Sequence, residues 1–327
     1  MNHTMAFIGA GWIGDFYHQA YQMLRDRFTL AGCSGNPSEE GRRRLLSKCG
    51  EWNAAPIFDL DAILGDPSIT CVCILSPTSL HFEQAKAALL AGKHVLIEKP
   101  VALDAAQFEE LRDLAAERNL TVLPGHNFVY RPVIRKAREI LDSGRLGTVS
   151  YGSFRAVHFI SPEHASGWRS RFDISGGGAM MDSGTHLVYQ SIYLLGLPRW
   201  LSCFSTTKHY TEMESEDTCQ ISLQYGDGII GQIFQSWSSS DPSAGEIRIE
   251  GDEGNLLITD ALYLDGERIE DDSTYPRSFY HLLAAFADAM EGKAAPLSSI
   301  DDARAAFGII SSAYESAMDR RTMELRL

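Results

Sequence analysis

The feature that most constrains this sequence is a glycine-rich turn close to its N-terminus, G-A-G-W-I-G at residues 9–14. The turn follows the apolar run Ala6–Ile8 and precedes a stretch of helical character. Gly9 permits a tight turn, Gly11 lets the backbone approach a pyrophosphate, and Gly14 allows the helix to pack closely on the strand. A strand, this turn and a helix in that order predict a dinucleotide-binding βαβ unit with anion-binding N–H groups at the start of the helix.

The first third of the chain continues this rhythm, alternating short β-type runs with helical stretches, as in a parallel sheet covered by helices. The predicted strands are Ala6–Ile8, Thr29–Cys33, Cys71–Leu75, Val95–Ile97 and Thr121–Leu123, and the predicted helices are Ile13–Arg25, Glu39–Cys49, Leu80–Ala91 and Ala105–Arg118.

The pattern changes after residue 125, where a predicted helix over 132–143 is followed by consecutive β-type runs. These runs are Val149–Phe159, Leu201–Tyr210, Thr218–Tyr225, Ile229–Trp237, Glu246–Gly251 and Asn255–Thr259. Strands without intervening helices predict an antiparallel sheet. We therefore expect a doubly wound α/β Rossmann domain over residues 1–124 and an α+β domain over 125–327. The helical tail, 278–291 and 301–319, is expected to pack back on the core.

The composition excludes several classes of function. A net charge of −14 and an isoelectric point near 5.1 disfavour nucleic acid and anionic membranes as partners. No apolar run approaches the roughly 20 residues that span a bilayer, and the start of the chain lacks the features of a signal peptide. We expect a cytoplasmic protein with reduced, structural cysteines, since none forms a C-x-x-C pair. The cysteines are Cys33, Cys49, Cys71, Cys73, Cys203 and Cys219.

The second predicted strand bears on the choice between NAD and NADP. NAD enzymes of this type carry an acidic residue about 20 positions beyond the glycines, which binds the ribose 2′-hydroxyl. Here the strand ends in S-G-N at residues 34–36, followed by three arginines at 42–44. Hydroxyl, amide and guanidinium groups suit a 2′-phosphate and favour NADP. The arginines are alternatively a solvated helix face.

Two further segments bring together groups that could move a proton. Lys99, within E-K-P at 98–100, lies at the carboxyl end of a predicted strand, where open α/β sheets bind ligands. Asp182 and His186 are four residues apart, a spacing that puts both on one face of a helix. In alcohol oxidation the ammonium would stabilise alkoxide character and the imidazole would accept the hydroxyl proton. Asp182 and His186 could alternatively cap a helix or bind a metal, although a third ligand is not evident.

The order of these motifs resembles the Gfo/Idh/MocA oxidoreductases, the family of glucose–fructose oxidoreductase and inositol dehydrogenase. The matching segments are G-A-G-W-I-G at 9–14, S-P-T-S-L-H at 76–81, E-K-P at 98–100, G-W-R at 167–169 and S-G-G-G-A-M-M-D-S-G-T-H at 175–186. The resemblance covers nearly the whole chain. It implies a Rossmann domain followed by a domain with an open-faced, mainly antiparallel sheet that is often used for oligomer contacts.

The resemblance also implies residue roles. Lys99 contacts the reacting hydroxyl, His186 is the acid/base, and Asp182 assists it at the substrate. The Lys99–Pro100 bond is expected to be cis. The segment at 34–36 resembles NADP-using members, whereas Glu39 stands where such members can carry a basic residue. The cofactor therefore stays open as NAD(P), with NADP favoured.

The candidate sites follow from both lines of reasoning. The candidate catalytic residues are Lys99, Asp182 and His186. The candidate cofactor-binding residues are Gly9, Gly11, Trp12, Ile13, Gly14, Ser34, Asn36, Arg43, Ser76, Pro77, Thr78, His81, Glu98 and Lys99. The candidate substrate-binding residues are Lys99, His126, Tyr130, Arg155, Trp168, Arg169, Asp182 and His186. No metal site is expected.

Three functions are compatible with this pattern. The first is a dehydrogenase or reductase acting on a sugar, polyol or sugar derivative. The second is a redox-neutral lyase or glycosidase that uses bound NAD only transiently. The third is a non-catalytic dinucleotide sensor, which would not need Lys99, Asp182 and His186. The expected partners are a small carbohydrate or polyol substrate and further copies of the chain, as a homodimer or homotetramer.

Overall fold

The computed structural model describes residues 2–272 and 274–327, without the side chains of residues 164 and 241–243. The strands in chain order are β1 His3–Ile8, β2 Phe28–Ser34, β3 Cys71–Ile74, β4 His94–Ile97, β5 Val122–Pro124, β6 Val149–Phe159, β7 Pro198–Thr206, β8 Thr218–Tyr225, β9 Ile230–Ser236, β10 Ser238–Gly251, β11 Asn255–Ile258, β12 Ala261–Leu264, β13 Glu267–Asp271 and β14 Met323–Glu324. The helices are α1 Trp12–Gln22, α2 Glu39–Trp52, α3 Leu60–Gly65, α4 His81–Leu90, α5 Ala105–Glu117, α6 Pro132–Asp142, α7 Pro162–Ala165, α8 Phe172–Ser175, α9 Thr185–Leu195, α10 Tyr275–Met290 and α11 Ile300–Asp319.

The chain divides into two compact units. The first unit comprises Met1–Asn127 with Thr274–Asp301, and the second comprises Phe128–Ser273 with Asp302–Leu327. Each is therefore built from two separate stretches of sequence.

The sheet of the first unit is parallel, with the strand order β2-β1-β3-β4-β5 in the described residues. Its central strand, β3, is apolar and is buried along its whole length. Burial on both faces is expected of a parallel sheet that helices cover. Successive strands are added on opposite sides of β1, which creates the crevice where such sheets bind ligands. The prediction of a parallel α/β fold is confirmed.

Helix α10 returns late in the sequence to complete the first unit. The ring of Phe279 stacks on that of Phe16, with centroids 5.4 Å apart, and meets that of Tyr17 edge-on at 5.0 Å. Tyr275 also contacts Phe16, at 5.0 Å. An aromatic cluster thus joins α1 to α10.

The sheet of the second unit has the strand order β13-β12-β11-β10-β6-β9-β8-β7-β14 among the described residues. All neighbouring pairs are antiparallel except β6 and β9, which pair in parallel from Tyr151 and Ile230 to Val157 and Ser236. In β8 the odd-numbered residues from Cys219 to Tyr225 are buried, while the side chains between them reach solvent. This alternation confirms the predicted mainly antiparallel sheet with one open face.

Several boundaries differ from the prediction. The strand expected over 201–210 runs instead over 198–206. It ends there because the buried carboxylate of Asp217 holds the residues that follow the strand in a turn. Asp217 Oδ2 accepts the N–H groups of Lys208, His209 and Tyr210 at 2.9, 2.6 and 3.0 Å. The sequence also did not predict β12, β13, β14, the polar first half of β10, or the short helix α3.

The cysteines are buried free thiols. Burial raises the pKa of Cys71 to about 12. The Sγ atoms of Cys33 and Cys49 lie 2.7 Å apart, and those of Cys203 and Cys219 lie 3.4 Å apart. Among the residues that the structure describes, no helix is both long enough and apolar enough to cross a membrane.

Candidate active site

The register of the parallel sheet aligns the ends of its strands. Ile8 pairs with Ser34 on one side and with Ile74 on the other, Ile74 pairs with Ile97, and Ile97 pairs with Pro124. The segments that follow these residues therefore leave the first unit's sheet at one edge. Most of the predicted cofactor residues lie in or near these strand ends, whereas Arg43 lies within α2 and His81 begins α4.

The glycine-rich turn follows β1 at this edge. Gly9 has φ +116°, and a Cβ there would lie 2.6 Å from the carbonyl carbon of Leu75, so glycine allows two strand-end loops to touch. Gly11 precedes α1, has no side-chain cap, and would direct a Cβ into space that holds no described heavy atom within 4 Å. A Cβ on Gly14 would lie 2.6 Å from the Trp52 ring. The sequence predicted that this glycine makes room for the strand, whereas in the structure it makes room for a side chain of α2. Backbone N–H groups thus border an open space that fits a dinucleotide pyrophosphate.

The residues flanking Gly11 are accessible. Trp12 is 60% exposed at the first position of α1, and its ring meets that of Phe16 edge-on at 4.8 Å. Ile13 is half-buried.

Ser34 is the last residue of β2, and Asn36 follows it at the same edge of the sheet. The Ser34 carbonyl accepts the Gly9 N–H at 2.9 Å, and Asn36 Oδ1 accepts the N–H of Ser38, which caps α2. The three arginines of α2 differ from one another in their contacts. Arg42 Nε donates to the Pro37 carbonyl at 3.1 Å, and Arg44 pairs with Glu40. Arg43 is exposed and has no hydrogen bond or ion pair with any described residue.

The loop after β3 carries Ser76, Pro77 and Thr78, of which Thr78 is buried and Pro77 exposed. His81 lies beneath it and is 1% exposed. Its Nδ1 lies 2.7 Å from the Pro100 carbonyl oxygen and its Nε2 2.7 Å from that of Ser76. Burial lowers the pKa of His81. Because both ring nitrogens face backbone carbonyls, His81 joins two loops of the edge rather than facing a ligand.

Lys99 follows β4 and is held by its neighbour Glu98. The hydroxyl of Tyr17 donates to Glu98 Oε1 at 2.7 Å, and the Lys99 N–H donates to Oε2 at 3.2 Å. The Lys99–Pro100 peptide bond is cis, as the resemblance implies. Glu98 is 6% exposed, so a buried carboxyl group anchors the lysine backbone instead of facing solvent.

His126, after β5, lies near Lys99. It is 1% exposed, and its Nδ1 lies 2.6 Å from the hydroxyl oxygen of Ser298. Burial, and then the charge of Lys99, lower the pKa of His126 to about 3. The first unit therefore brings a neutral imidazole and an ammonium group together.

The second unit brings together another group of predicted residues. Asp182 lies in the π-helical turn Met180–Gly184, which continues directly into α9. Arg169 Nε donates to Asp182 Oδ2 at 3.0 Å, and its guanidinium lies 4.2 Å from the centroid of the Trp168 ring. Irregular turns of this kind are frequent at functional sites. The G-W-R segment is thus the partner of the aspartate.

His186, in the first turn of α9, faces Tyr189 and Phe128. Its Nδ1 lies 2.6 Å from the Tyr189 hydroxyl oxygen, and its ring centroid lies 4.6 Å from that of Phe128. The Phe128 N–H donates to the same hydroxyl oxygen at 3.2 Å. The imidazole is therefore contacted at Nδ1 by the Tyr189 hydroxyl and packs against the ring of Phe128.

A buried carboxyl group supports the glycine run 176–178 before this turn. Glu216, which is 5% exposed, accepts the N–H groups of Met180 at 2.7 Å and Gly178 at 3.2 Å, together with the hydroxyl of Tyr314 at 3.1 Å. Burial raises the pKa of Glu216 to about 7. These hydrogen bonds hold the backbone that leads to Asp182 in place.

Two predicted substrate residues are not part of these groups. Tyr130 is 4% exposed within a short 3₁₀ turn. Arg155 is exposed and pairs across the sheet with Phe234 and Glu246. It points away from the face on which His158, also in β6, contacts Ser183 at 3.2 Å.

The sequence did not single out Tyr17, Tyr189, Glu216, Ser298 or Tyr314. Tyr189 follows His186 at i+3, a helical spacing that could have identified it. Glu216 lies in the polar segment E-S-E-D, which has the composition of a solvated loop. Within residues 2–272 and 274–327, no cluster of three or more His, Cys, Asp or Glu side chains could hold a metal ion.

Comparison with protein families identifies both halves of the chain. Residues 3–126 match the model described as "Oxidoreductase family, NAD-binding Rossmann fold", and residues 134–257 match the GFO/IDH/MocA C-terminal domain.

Known proteins with related sequences are named as enzymes of sugars and polyols. The chain is 27% identical to a D-glucoside 3-dehydrogenase of Escherichia coli over 98% of its length and 97% of that protein's. It is 26% identical to the scyllo-inositol 2-dehydrogenase (NADP(+)) IolW of Bacillus subtilis, over 68% of its length. It spans only 60% of that relative, which is less than two thirds of its length.

A solved structure has the same fold. The WlbA dehydrogenase of Bordetella pertussis, in complex with NADH and UDP-GlcNAcA, superposes with a TM-score of 0.86 at 18% identity, over 100% of this chain and 98% of that one.

Proposed function

Because the chain belongs to the Gfo/Idh/MocA oxidoreductase family, we propose that it transfers a hydride between a nicotinamide dinucleotide and a carbinol or carbonyl carbon of a sugar, polyol or sugar derivative. The observation that carries the proposal is Lys99, an ammonium-bearing residue at the ligand-binding edge of the parallel sheet, with its backbone anchored by Glu98. The names of the relatives support a carbohydrate or polyol substrate.

The open space at Gly11 supports dinucleotide binding, since the uncapped start of α1 can donate N–H groups to the pyrophosphate. We favour NADP over NAD, because Ser34, Asn36 and the exposed guanidinium of Arg43 suit a 2′-phosphate. The negative charge of Glu39, in the first turn of α2, would repel a 2′-phosphate and so opposes this preference. When bound, the nicotinamide accepts or supplies the hydride.

The residues of the chain manage the proton and the charge. In the oxidative direction, the substrate hydroxyl loses its proton as the hydride leaves carbon. The Lys99 ammonium stabilises the negative charge that develops on that oxygen, and His186 accepts the proton. Asp182, held by Arg169, orients the substrate. In the reductive direction the same groups stabilise the alkoxide and return the proton.

The experiment that tests this function measures turnover with both nicotinamide cofactors and a panel of inositols, glucosides and other polyols, followed by the absorbance of the reduced nicotinamide. We expect Lys99→Met and His186→Ala each to lower kcat by roughly 10²–10⁴-fold without unfolding the protein. The two losses should not multiply in the double variant, because both residues serve one proton transfer. The ratio of kcat/KM for the two cofactors in the wild type reports the NADP preference.

Matched controls change the same residue types outside the candidate site, at the half-buried Lys136 and the exposed His209. Lys136→Met and His209→Ala should retain wild-type turnover. Near-wild-type rates for Lys99→Met and His186→Ala would refute the assignment. Product formed without net reduced cofactor would instead indicate the redox-neutral lyase or glycosidase, and binding without turnover of any substrate would indicate a sensor.

We also propose that copies of the chain associate through the open face of the nine described strands. This face exposes Phe204 to 79% and Ile230 to 46%, and an exposed apolar sheet face is commonly covered by self-association. Sedimentation at micromolar concentration should give a dimer or tetramer, and a monomer would contradict the proposal.

A further inference from the structure

The segment that carries Lys99 is connected to α1 through a buried tyrosine. Tyr17, in the middle of α1, is fully buried, and its hydroxyl donates to Glu98 Oε1 at 2.7 Å. The other carboxyl oxygen, Oε2, accepts the backbone N–H of Lys99 at 3.2 Å. Burial, and then the charge of Glu98, raise the pKa of Tyr17. The phenol therefore keeps its proton and acts as the donor to the carboxyl group.

The hydrogen bond between Glu98 and Lys99 joins neighbours in sequence, so it can orient the lysine only if the carboxyl group is itself held in place. A glutamate side chain has several rotatable bonds, and the torsion that turns its carboxyl group is a broad one. Glu98 is 6% exposed, so its carboxyl oxygens need donors from the protein. Tyr17 supplies one from a helix 81 positions away in sequence. Its hydroxyl thus relates the position of Lys99 to the helix that follows the first glycine-rich turn.

The loop after β5 also lies against the Glu98 carboxyl group. Gly125 is buried, and its N–H donates to the Ile97 carbonyl at 2.7 Å. A Cβ on Gly125 would lie 2.9 Å from Glu98 Oε1, the same oxygen that Tyr17 binds, and 3.1 Å from Glu98 Cα. The carboxyl group therefore has little room to turn, and the Tyr17 hydroxyl favours the orientation in which Oε2 faces the lysine N–H.

We propose that Tyr17 is a positioning residue whose hydroxyl orients the Glu98 carboxyl group and thereby fixes the backbone of Lys99 at the ligand-binding edge of the parallel sheet. Because Tyr17 is fully buried, it acts through Glu98. The inference rests on the proposed function of Lys99, whose ammonium must lie where negative charge develops on the substrate oxygen.

The first test follows the lysine without any turnover. Reductive methylation with ¹³C-formaldehyde labels the lysine ammonium groups for NMR, and the Lys99 signal is identified by its loss in Lys99→Met. We expect Tyr17→Phe to shift the Lys99 signal and to leave the signals of the other lysines unchanged. A Lys99 signal that is the same in wild type and Tyr17→Phe would overturn the proposal, whatever the reaction of the protein is.

The second test measures the catalytic effect of the same variant. Tyr17→Phe removes only the hydroxyl and keeps the ring that meets Phe279 edge-on. We expect kcat to fall roughly tenfold, as for a lost hydrogen bond to a charged group. The Kd of NADPH, measured by calorimetry, should stay within about twofold.

Tyr21→Phe is the matched control, one turn further along α1. The Tyr21 hydroxyl makes no hydrogen bond with any residue that the structure describes, so its removal should leave kcat and the Lys99 signal unchanged. A Tyr17→Phe protein that is less stable but keeps the wild-type kcat and Lys99 signal would show a purely structural role and overturn the inference.

The third test asks whether the hydroxyl acts through Glu98. Tyr17→Phe should lower kcat in the wild type but should lower it no further in a Glu98→Ala background, because the acceptor of its hydrogen bond is then gone. Equal losses in the two backgrounds would show that Tyr17 acts by another route. Near-wild-type turnover in Lys99→Met would instead refute the proposed function of the lysine, and the NMR comparison would still decide whether Tyr17 positions it.

Discussion

Two glycine-rich turns lie in this chain, residues 9–14 and 176–178, and the structure uses them for opposite purposes. At Gly11 the position that a Cβ would take meets no described heavy atom within 4 Å, so the missing side chain leaves room for a ligand. At Gly178 the same position lies 1.9 Å from the Glu216 carbonyl oxygen, so the space that a side chain would take is filled by the backbone of Glu216. Glycine enrichment therefore marks a close approach to backbone, without saying whether the approaching group is a ligand or a buried residue.

The largest expected effect is on folding, at the second turn. Gly178→Ala should lower the free energy of unfolding by about 3 kcal/mol or more, because the Glu216 backbone cannot move away without breaking its hydrogen bond to Ala179. Urea denaturation of this variant beside Gly226→Ala provides the measurement. Gly226 is exposed, with no described atom within 4 Å of a Cβ, and its variant should match the wild type within about 0.5 kcal/mol. Equal stability of the two variants would remove the distinction between the turns.

The corresponding change at the first turn should affect binding and leave folding intact. Gly11 has an extended backbone, φ −86°, which a valine adopts easily. Gly11→Val should therefore unfold like the wild type but weaken dinucleotide binding at least about a hundredfold, or about 2.7 kcal/mol, by filling the space of the pyrophosphate. Calorimetric titration with NADPH and NADH measures this loss. Unchanged affinity would mean that the open space at Gly11 is not a cofactor site.

The smallest expected effect is a pH dependence confined to the second turn. Burial raises the pKa of Glu216 from its ordinary 4.5 to about 7, so between these values the folded state holds a proton that the unfolded state releases. The free energy of unfolding should consequently fall as the pH rises through this window and level off above it. We expect the free energy of unfolding of the wild type, taken relative to that of Glu216→Gln, to fall by roughly 1–3 kcal/mol from pH 5 to pH 8.

Urea denaturation across this pH range, with the exposed Glu139→Gln as control, isolates the contribution of Glu216. The comparison is needed because the buried, neutral His126 has the opposite dependence: its pKa is lowered to about 3, so its contribution to stability is lost as the pH falls below 6.5. A difference that does not change with pH would show that Glu216 titrates normally in the folded protein.

The parallel sheet could be predicted from the sequence because its signals are local. Each strand is a short apolar run followed by a helix, and the segments that end these strands carry Gly11, Ser34 and Lys99. The strands that escaped prediction are short or polar, such as Met323–Glu324 and the serine-rich start of β10. Such segments become strands because an existing sheet offers them hydrogen-bonding partners, which no local pattern records.

The hydrogen bonds that hold the second turn could not be predicted, for a related reason. Gly178 donates to Glu216, 38 residues away, and to Tyr314, 136 residues away, and in both cases the donor is a backbone N–H. A backbone donor carries no sequence signature, so nothing marks these two side chains as partners of the turn. The pairing of Asp182 with Arg169 could not be predicted either, although both residues are candidates, because they are 13 positions apart and no single helix or strand contains both.

The discontinuity of the first unit has a consequence for synthesis on the ribosome. Phe16 and Tyr17 are synthesised long before Phe279, whose ring packs on both of them. The nascent dinucleotide-binding half therefore carries an uncovered aromatic surface while the whole β-rich half is translated, and this is the interval in which chaperone capture or aggregation competes with folding. A chain interrupted before residue 275 would retain every glycine of the first turn and still lack the helix that closes its core.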